Sequence, residues 1–172
     1  LSNLISNNFV VNYSLKEKDV DVEQIFHCDI QDIDTFVITQ LNGWIVYKNS
    51  PIAKLPSGVI TGSLKQAFID FPKLIDEHYS KIADIKNNHL TALNTSFAQD
   101  GVFIYVPDNT VVEKPIQVVN LIYSNDQILV QPRNLIIIGK NSKITIANCE
   151  HSVTHQLNFT NSVTEISVGD NS

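Results

Sequence analysis

Residues 100–148 read DGVFIYVPDNTVVEKPIQVVNLIYSNDQILVQPRNLIIIGKNSKITIAN. Five short apolar runs follow one another here, each rich in β-branched residues and too short for a helix, which is typical of β-strands. Turn-forming residues separate the runs. The predicted strands are residues 102–106, 116–123, 128–130, 135–138 and 143–147. The stretch therefore predicts a mainly β fold.

The turns of this region repeat along the chain. The segments PDNT, GKNS and GDNS each combine a turn-former, a polar residue, Asn and a small hydroxyl residue. They begin at residues 107, 139 and 169, so two nearly equal intervals separate them. A period of about 30 residues with several short strands and no helix favours a parallel β-helix, in which one coil stacks on the next. A sandwich or jelly roll remains an alternative.

Composition places the chain among globular proteins. Hydrophobic residues make up 43% and charged residues 17% of the sequence, and no apolar run approaches the roughly 18 residues of a membrane span. The net charge of -6 and the single arginine, Arg133, argue against nucleic-acid binding. Cys28 and Cys149 form no disulfide framework, which predicts a reducing cytoplasm. Because the chain lacks an initiator Met and no polar cap follows the third turn, we expect a piece of a longer protein.

Three regions are predicted. Residues 1–34 scatter apolar residues among Ser and Asn and predict an irregular lead-in. Residues 35–99 predict a hairpin plus short helices, because Asn42-Gly43 lies between two β-rich runs and is the strongest short hairpin signal. Residues 100–172 are predicted to form the first coils of a truncated parallel β-helix.

Three short helices are predicted within residues 35–99. Residues 63–66, SLKQ, match a capping box, so a helix begins at Leu64. Pro72 ends that helix and begins a second one, which extends to about Ile82. A third helix covers residues 90–98, where apolar residues at 90, 93 and 97 have the spacing of an amphipathic stripe.

A metal site and a phosphate loop are the sharpest chemical hypotheses. Cys149, His151 and His155 have the C-x-H-x3-H spacing of soft metal ligands. Strand periodicity places the first two on one face, away from the core, which equally describes a solvated edge. The pair His27-Cys28 carries less support. Residues 58–63, GVITGS, lack the Lys-Ser/Thr pair of a phosphate loop, and a turn plus a helix cap accounts for them.

Two polar residues occur among apolar residues in strand-like patterns. Glu165 interrupts an apolar alternation, as either a functional acid or a hydrogen-bonding residue at the surface or the edge of the lumen. Asn148 is predicted to be buried and satisfied by a ladder of stacked amides. The carboxylates are dispersed and no Ser-His-Asp group can be assembled, so the sequence predicts no catalytic residues and no enzyme.

Four segments carry a resemblance to a known family. In chain order they are residues 93–107, LNTSFAQDGVFIYVP; 113–117, EKPIQ; 131–136, QPRNLI; and 160–165, TNSVTE. Together they resemble the SufB/SufD family of the SUF iron-sulphur cluster assembly system, and in particular its SufD-like members. The hairpin and residues 55–59 are similar to the approach region of that family, so the resemblance covers residues 35–172.

The resemblance implies a right-handed parallel β-helix preceded by a small mixed α/β lead-in. It implies a cytoplasmic, non-catalytic scaffold whose partners are a SufB-like paralogue and a SufC-like ATPase, the latter docked through a C-terminal region absent from these residues. The full complex handles the cluster, and the family residues credited with assembling it lie past Ser172. No catalytic, cofactor-binding or metal residue is therefore carried over. A polysaccharide-active β-helix enzyme and a structural solenoid are the alternatives.

Overall fold

The structure is a computed structural model that describes residues 8–11, 22, 34–153 and 155–172. It is mainly β, as predicted. The helices are α1 (Leu64–Asp70), α2 (Pro72–His78) and α3 (His89–Phe97). The strands are β1 (Val10–Val11), β2 (Phe36–Leu41), β3 (Trp44–Val46), β4 (Ile52–Lys54), β5 (Ile60–Ser63), β6 (Val102–Val106), β7 (Ile116–Ile122), β8 (Ile128–Val130), β9 (Arg133–Ile138), β10 (Ile146–Ser152), β11 (Asn158–Thr160) and β12 (Val163–Val168).

The strands form three sheets, and each sheet contains a parallel pair of strands with the same offset along the chain. Their orders are β10-β7-β2-β3, β12-β9-β6-β5-β4 and β1-β8-β11. Strands β7, β8 and β9 pair in parallel with β10, β11 and β12, respectively, always at the same offset along the chain, as in the pairs Ile116 with Ile146 and Arg133 with Val163. Two successive passes of the chain therefore lie on one another. Antiparallel pairing among the described strands is confined to β2-β3 and to β4-β5-β6.

The repeated turns stack as the sequence spacing requires. Asn109, Asn141 and Asn171 all have positive φ angles, between 53° and 61°. The Nδ2 of Asn141 donates to Oδ1 of Asn109 at 3.1 Å, and the Nδ2 of Asn171 donates to Oδ1 of Asn141 at 3.2 Å. A Cβ on Gly139 would lie 2.5 Å from the backbone nitrogen of Asp108, so this turn requires glycine. The repeat found in the sequence is a physical stack of turns.

Two hydrophobic clusters bury both faces of the β6-β9 sheet. Ile104, Val118 and Ile136 belong to the cluster between the sheets. Phe103 and Leu135 belong to a second cluster, which helices α1 and α2 cover. Because both faces are buried, these strands read as continuous apolar runs rather than alternating ones.

The predicted hairpin is confirmed, whereas one predicted strand lies further along the chain. Asn42 and Gly43 have φ angles of 50° and 87° between the antiparallel strands β2 and β3, as a two-residue hairpin turn requires. The strand predicted at residues 143–147 is observed at Ile146–Ser152, and Lys143 makes only an isolated parallel bridge with Val111. Strand β4 is absent from the sequence-based prediction.

The helices begin where predicted, but their contacts differ. Helix α1 begins at Leu64, and Oγ of Ser63 accepts the N–H of Gln66 at 3.1 Å. The side chain of Gln66 donates to Asp70 instead, so only half of the capping box forms. Helix α2 ends at His78 rather than Ile82. None of the described helices has the length and apolar character that a membrane span requires.

Helix α3 contradicts the predicted apolar stripe. Its buried residues are Thr91 and Asn94, whereas Leu90 and Phe97 are 44% and 37% exposed. Asn88 caps the helix by accepting from the N–H groups of residues 90 and 91. The prediction failed because this helix packs through Asn94 against the chain segments that precede β9 and β12.

Candidate functional site

A buried ion pair lies beneath the helices, on the outer face of strands β9 and β12. Nη2 of Arg133 lies 2.6 Å from Oε2 of Glu165, and both side chains are only 1% exposed. The parallel pairing of β9 with β12 brings the two residues together, since Arg133 is the partner of Val163, two residues before Glu165. The prediction that Glu165 lies at a surface or lumen edge is therefore wrong.

The carboxylate of Glu165 organises the loop that follows α2. Its Oε2 accepts the N–H of Ser80 at 2.9 Å, and its Oε1 accepts those of Ile82 at 2.9 Å and Ala83 at 3.0 Å. Ser80 adopts a left-handed backbone conformation with φ of 59°. If α2 continued, these three N–H groups would donate to carbonyl groups of the helix. They donate to the Glu165 carboxylate instead, which explains why α2 ends early.

These hydrogen bonds also determine the charge state of Glu165. Burial alone would raise its pKa, but the N–H groups of Ala83, Ile82 and Ser80 and the Arg133 guanidinium together outweigh burial. The pKa of Glu165 therefore lies below its usual value, and the side chain is a carboxylate at neutral pH. Such a group is a poor general acid or base near pH 7.

Arg133 joins the loop to helix α3. Its Nη1 donates to Oγ1 of Thr95 at 3.2 Å and lies 3.5 Å from Oδ1 of Asn94, while the guanidinium lies 5.1 Å from the centre of the Tyr79 ring. Burial raises the pKa of Tyr79, the positive charge of Arg133 opposes that rise, and Glu165 adds to it. The Nε atom of Arg133 is buried without a hydrogen-bond partner among the described residues.

Two asparagines connect α3 to two successive passes of the chain. Nδ2 of Asn94 donates to the carbonyl of Pro132 at 2.9 Å and to that of Asn161 at 2.8 Å. Nδ2 of Asn161 donates to the carbonyl of Leu90 at 2.8 Å and to Oε1 of Gln131 at 2.7 Å. The polar face of α3 is therefore hydrogen-bonded to the chain segments that precede β9 and β12.

Asp100 makes the corresponding connection to α1. Its Oδ1 accepts the Ser63 hydroxyl at 2.8 Å and the N–H of Lys65 at 3.1 Å, and its Oδ2 accepts the N–H of Ile45 at 3.1 Å. A Cβ on the next residue, Gly101, would overlap the backbone of Arg133. The start of β6 is thereby fixed to a helix, a hairpin and β9.

Three of the four family-like segments meet in this network. Residues 93–107 contribute Asn94 and Asp100, residues 131–136 contribute Arg133, and residues 160–165 contribute Asn161 and Glu165. The segment 113–117 lies elsewhere: its residue 117 accepts from Thr35 at 2.7 Å. We name the converging residues the docking network: Asn94, Thr95, Asp100, Gln131, Arg133, Asn161 and Glu165.

Sequence reasoning did not assemble the docking network, although one signal was present. The interval between Arg133 and Glu165 equals the interval between the first two repeated turns. In stacked coils such an interval brings residues to neighbouring strands. Glu165 and Arg133 are far apart in the sequence and form no local motif. Their pairing is therefore not apparent when the carboxylates are considered one by one along the chain.

The candidate metal ligands do not converge. Strand β10 places Cys149 and His151 on one face, both half-buried, whereas His155 is exposed and outside the described strands. No three His, Cys, Asp or Glu side chains within the described ranges are grouped to hold a metal ion. Cys149 is a free thiol and accepts from Nε2 of Gln117 at 3.7 Å. The pair at residues 27–28 lies outside the described residues.

Two remaining predictions have different outcomes. Asn120 donates to Oδ1 of Asn148 at 2.8 Å, so an amide contact between stacked strands forms, but Asn148 is exposed rather than buried. Residues 58–63 form a turn, strand β5 and the cap of α1. These residues therefore form the predicted turn and helix cap and not a phosphate-binding loop.

The geometry defines a class: a mainly β protein with stacked parallel strands, onto which a buried polar network fastens a layer of short helices. The sequence comparison is more specific. The family model described as the SufBD protein N-terminal region matches residues 1–118, more than half of the chain. The chain belongs to the SufB/SufD family.

Several curated relatives carry names from the same family. The iron-sulfur cluster assembly protein SufD of Bacillus subtilis is 32% identical over 116 residues, which are 66% of this chain and 26% of the relative. A SufBD family protein of Synechocystis sp. is 28% identical over 140 residues, covering 76% of this chain and 31% of the relative. The ycf24 protein of Trieres chinensis is 34% identical over 89 residues, covering 51% of this chain and 18% of the relative. The chain therefore spans less than a third of each of these relatives.

Proposed function

We propose that this chain is the N-terminal part and first coils of a SufD-like scaffold that acts in iron-sulphur cluster assembly with a SufB-like paralogue and a SufC-like ATPase. The supporting observation is the convergence of three family-like segments in the docking network. Side chains that are hydrogen-bonded to one another beneath a layer of helices have a structural rather than a catalytic role. The relatives' names supply the cellular process.

The architecture we propose is a right-handed parallel β-helix. The parallel pairing at one constant offset and the stacked Asn turns support stacked coils. In this division residues 1–34 are a lead-in, residues 35–99 a hairpin with short helices, and residues 100–172 the first coils. The docking network then fastens the second region onto the outer wall of the third.

We propose a non-catalytic role because the ionisable groups of the docking network are already engaged. The oxygens of Glu165 accept three backbone amides and the Arg133 guanidinium, and those of Asp100 accept three donors. A polysaccharide-active enzyme would instead need acids and bases gathered on an exposed sheet. Helices α1 and α2 cover the outer face of β6 and β9, so this face of the sheet is not open to a polysaccharide.

The proposal assigns no resident cofactor to these residues, and the cluster is cargo of the whole complex. The sparse use of cysteine supports a reducing compartment, for which we propose the cytoplasm.

Co-purification of the full-length protein with its SufB-like and SufC-like candidates from the same organism tests the assembly role. We expect a complex containing all three chains. Ile136→Asp, which places a charge in the core between the sheets, should abolish the complex, whereas Ile69→Asp on the exposed side of α1 should leave the β-core and the complex intact. A folded full-length protein that ignores both partners would refute the proposal.

A further inference from the structure

A cleft of about 310 Å³ lies beside the docking network. Helix α1, the end of α2, the segment before β6 and strand β9 form its walls. Its lining includes Leu64, Lys65, Phe68, Tyr79, Gln99 and Arg133. This volume is at the lower end of the range for small-molecule sites, roughly 300–1,000 Å³.

The polar lining of the cleft is rich in donors that have no partner. Neither the Tyr79 hydroxyl nor the Gln99 amide has a hydrogen-bond partner in the described part of the chain. The Lys65 ammonium lies 5.0 Å from the centre of the Trp44 ring and pairs with no described carboxylate.

The one carboxylate in the described wall accepts hydrogen bonds from other groups than these donors. Asp100 directs its oxygens at Ser63, Lys65 N–H and Ile45 N–H. Glu165 lies on the other side of Arg133, where it accepts the loop amides. The cleft therefore offers the Lys65 ammonium and the Tyr79 hydroxyl as unpartnered donors, and residues 64 and 68 add apolar lining.

We propose that this cleft binds a small organic carboxylate with a flat apolar body. The carboxylate oxygens would accept from the Lys65 ammonium and from the Tyr79 hydroxyl, since ionised acceptors form the strongest hydrogen bonds with such donors. The apolar body would pack on Phe68. The proposal is independent of the assembly role, because it concerns only residues of α1, β9, the end of α2 and the segment before β6.

Calorimetric titration of benzoate into the full-length protein at constant ionic strength tests the proposal, with acetate and inorganic phosphate as comparison probes. Saturable benzoate binding is expected, tighter than that of acetate or phosphate. Lys65→Gln and Tyr79→Phe should each weaken benzoate binding at least five-fold, while Lys73→Gln and Tyr123→Phe, the matched controls outside the cleft, should leave it unchanged.

Each variant is first checked by thermal melting, and Tyr79→Phe should melt like the wild type because the hydroxyl has no partner in the described structure. Amide shifts in an NMR titration should localise benzoate to residues 64–68 and 98–100, which reports on the site even if a variant folds poorly. The proposal is overturned by any of three results: heats that follow ionic strength alone, equal affinity in all variants, or tighter binding of phosphate.

Discussion

Replacing Glu165 by Gln is the most direct test of the docking network. The amide keeps the size of the side chain but removes its charge. One of its two terminal positions becomes an NH2 donor, and both positions now face donors: Ser80 N–H and Arg133 on one side, Ile82 N–H and Ala83 N–H on the other. Either orientation of the amide therefore sets donor against donor.

The magnitude follows from the burial of the pair. Arg133 would keep a positive charge that is 1% exposed and has lost its only carboxylate partner among the described residues. Removing one partner of a buried ion pair typically costs about 3–5 kcal/mol, mainly through the uncompensated charge that remains. We expect Glu165→Gln to lower the free energy of unfolding by an amount in that range.

Urea unfolding at pH 7, followed by the fluorescence of Trp44, measures this free energy. Glu77→Gln, an exposed change on α2, is the matched control and should stay within about 0.5 kcal/mol of the wild type. In Arg133→Met with Glu165→Gln both charges are absent, so its loss should be at least about 1 kcal/mol smaller than the sum of the single losses. A Glu165→Gln protein as stable as the control would refute the assignment of a buried, essential ion pair.

Three further predictions concern acid, the core and the turn stack. Because the pKa of Glu165 is lowered by folding, its stabilisation is present above the usual glutamate pKa of about 4.3 and is lost as the pH falls through the lower folded value; urea unfolding between pH 6 and 3 should show this loss, and Glu165→Gln should flatten it. Ile136→Asp should destabilise the fold by about 4 kcal/mol or more in thermal melts, whereas Ile69→Asp should cost less than about 1 kcal/mol; equal melts would remove Ile136 from the core. Gly139→Ala should cost about 1–3 kcal/mol because its Cβ meets the turn below, while Lys140→Ala, at an exposed position, should change little; a Gly139→Ala protein with wild-type stability would contradict the tight stacking of turns.

Local residue chemistry was sufficient for the elements in which each residue's conformation is set by its neighbours in sequence. The Asn42-Gly43 turn forms because both residues tolerate positive φ, and β2 and β3 then pair across it. Pro72 begins α2 because proline fits the first turn of a helix. The stacked turns are likewise predictable, since their residues recur at the distance at which the strands pair.

Local chemistry was insufficient where a distant partner determines the outcome. Helix α3 carries an apolar stripe, yet it buries Asn94 because the carbonyl groups of Pro132 and Asn161 need donors. Helix α2 stops at His78 because its continuation would withdraw the amides that Glu165 accepts. Both outcomes depend on residues far away in the sequence, and amphipathic periodicity carries no information about them.

Residue types and their spacing were enough to indicate that the chain is mainly β, where its hairpin and turns lie, and to which family it belongs. The buried pair of Arg133 and Glu165 could be found only in the folded protein, since an ion pair between two strands requires their register and the helices that exclude water from it. The repeated turns around residues 100–148 set that register, and the docking network shows what it brings together.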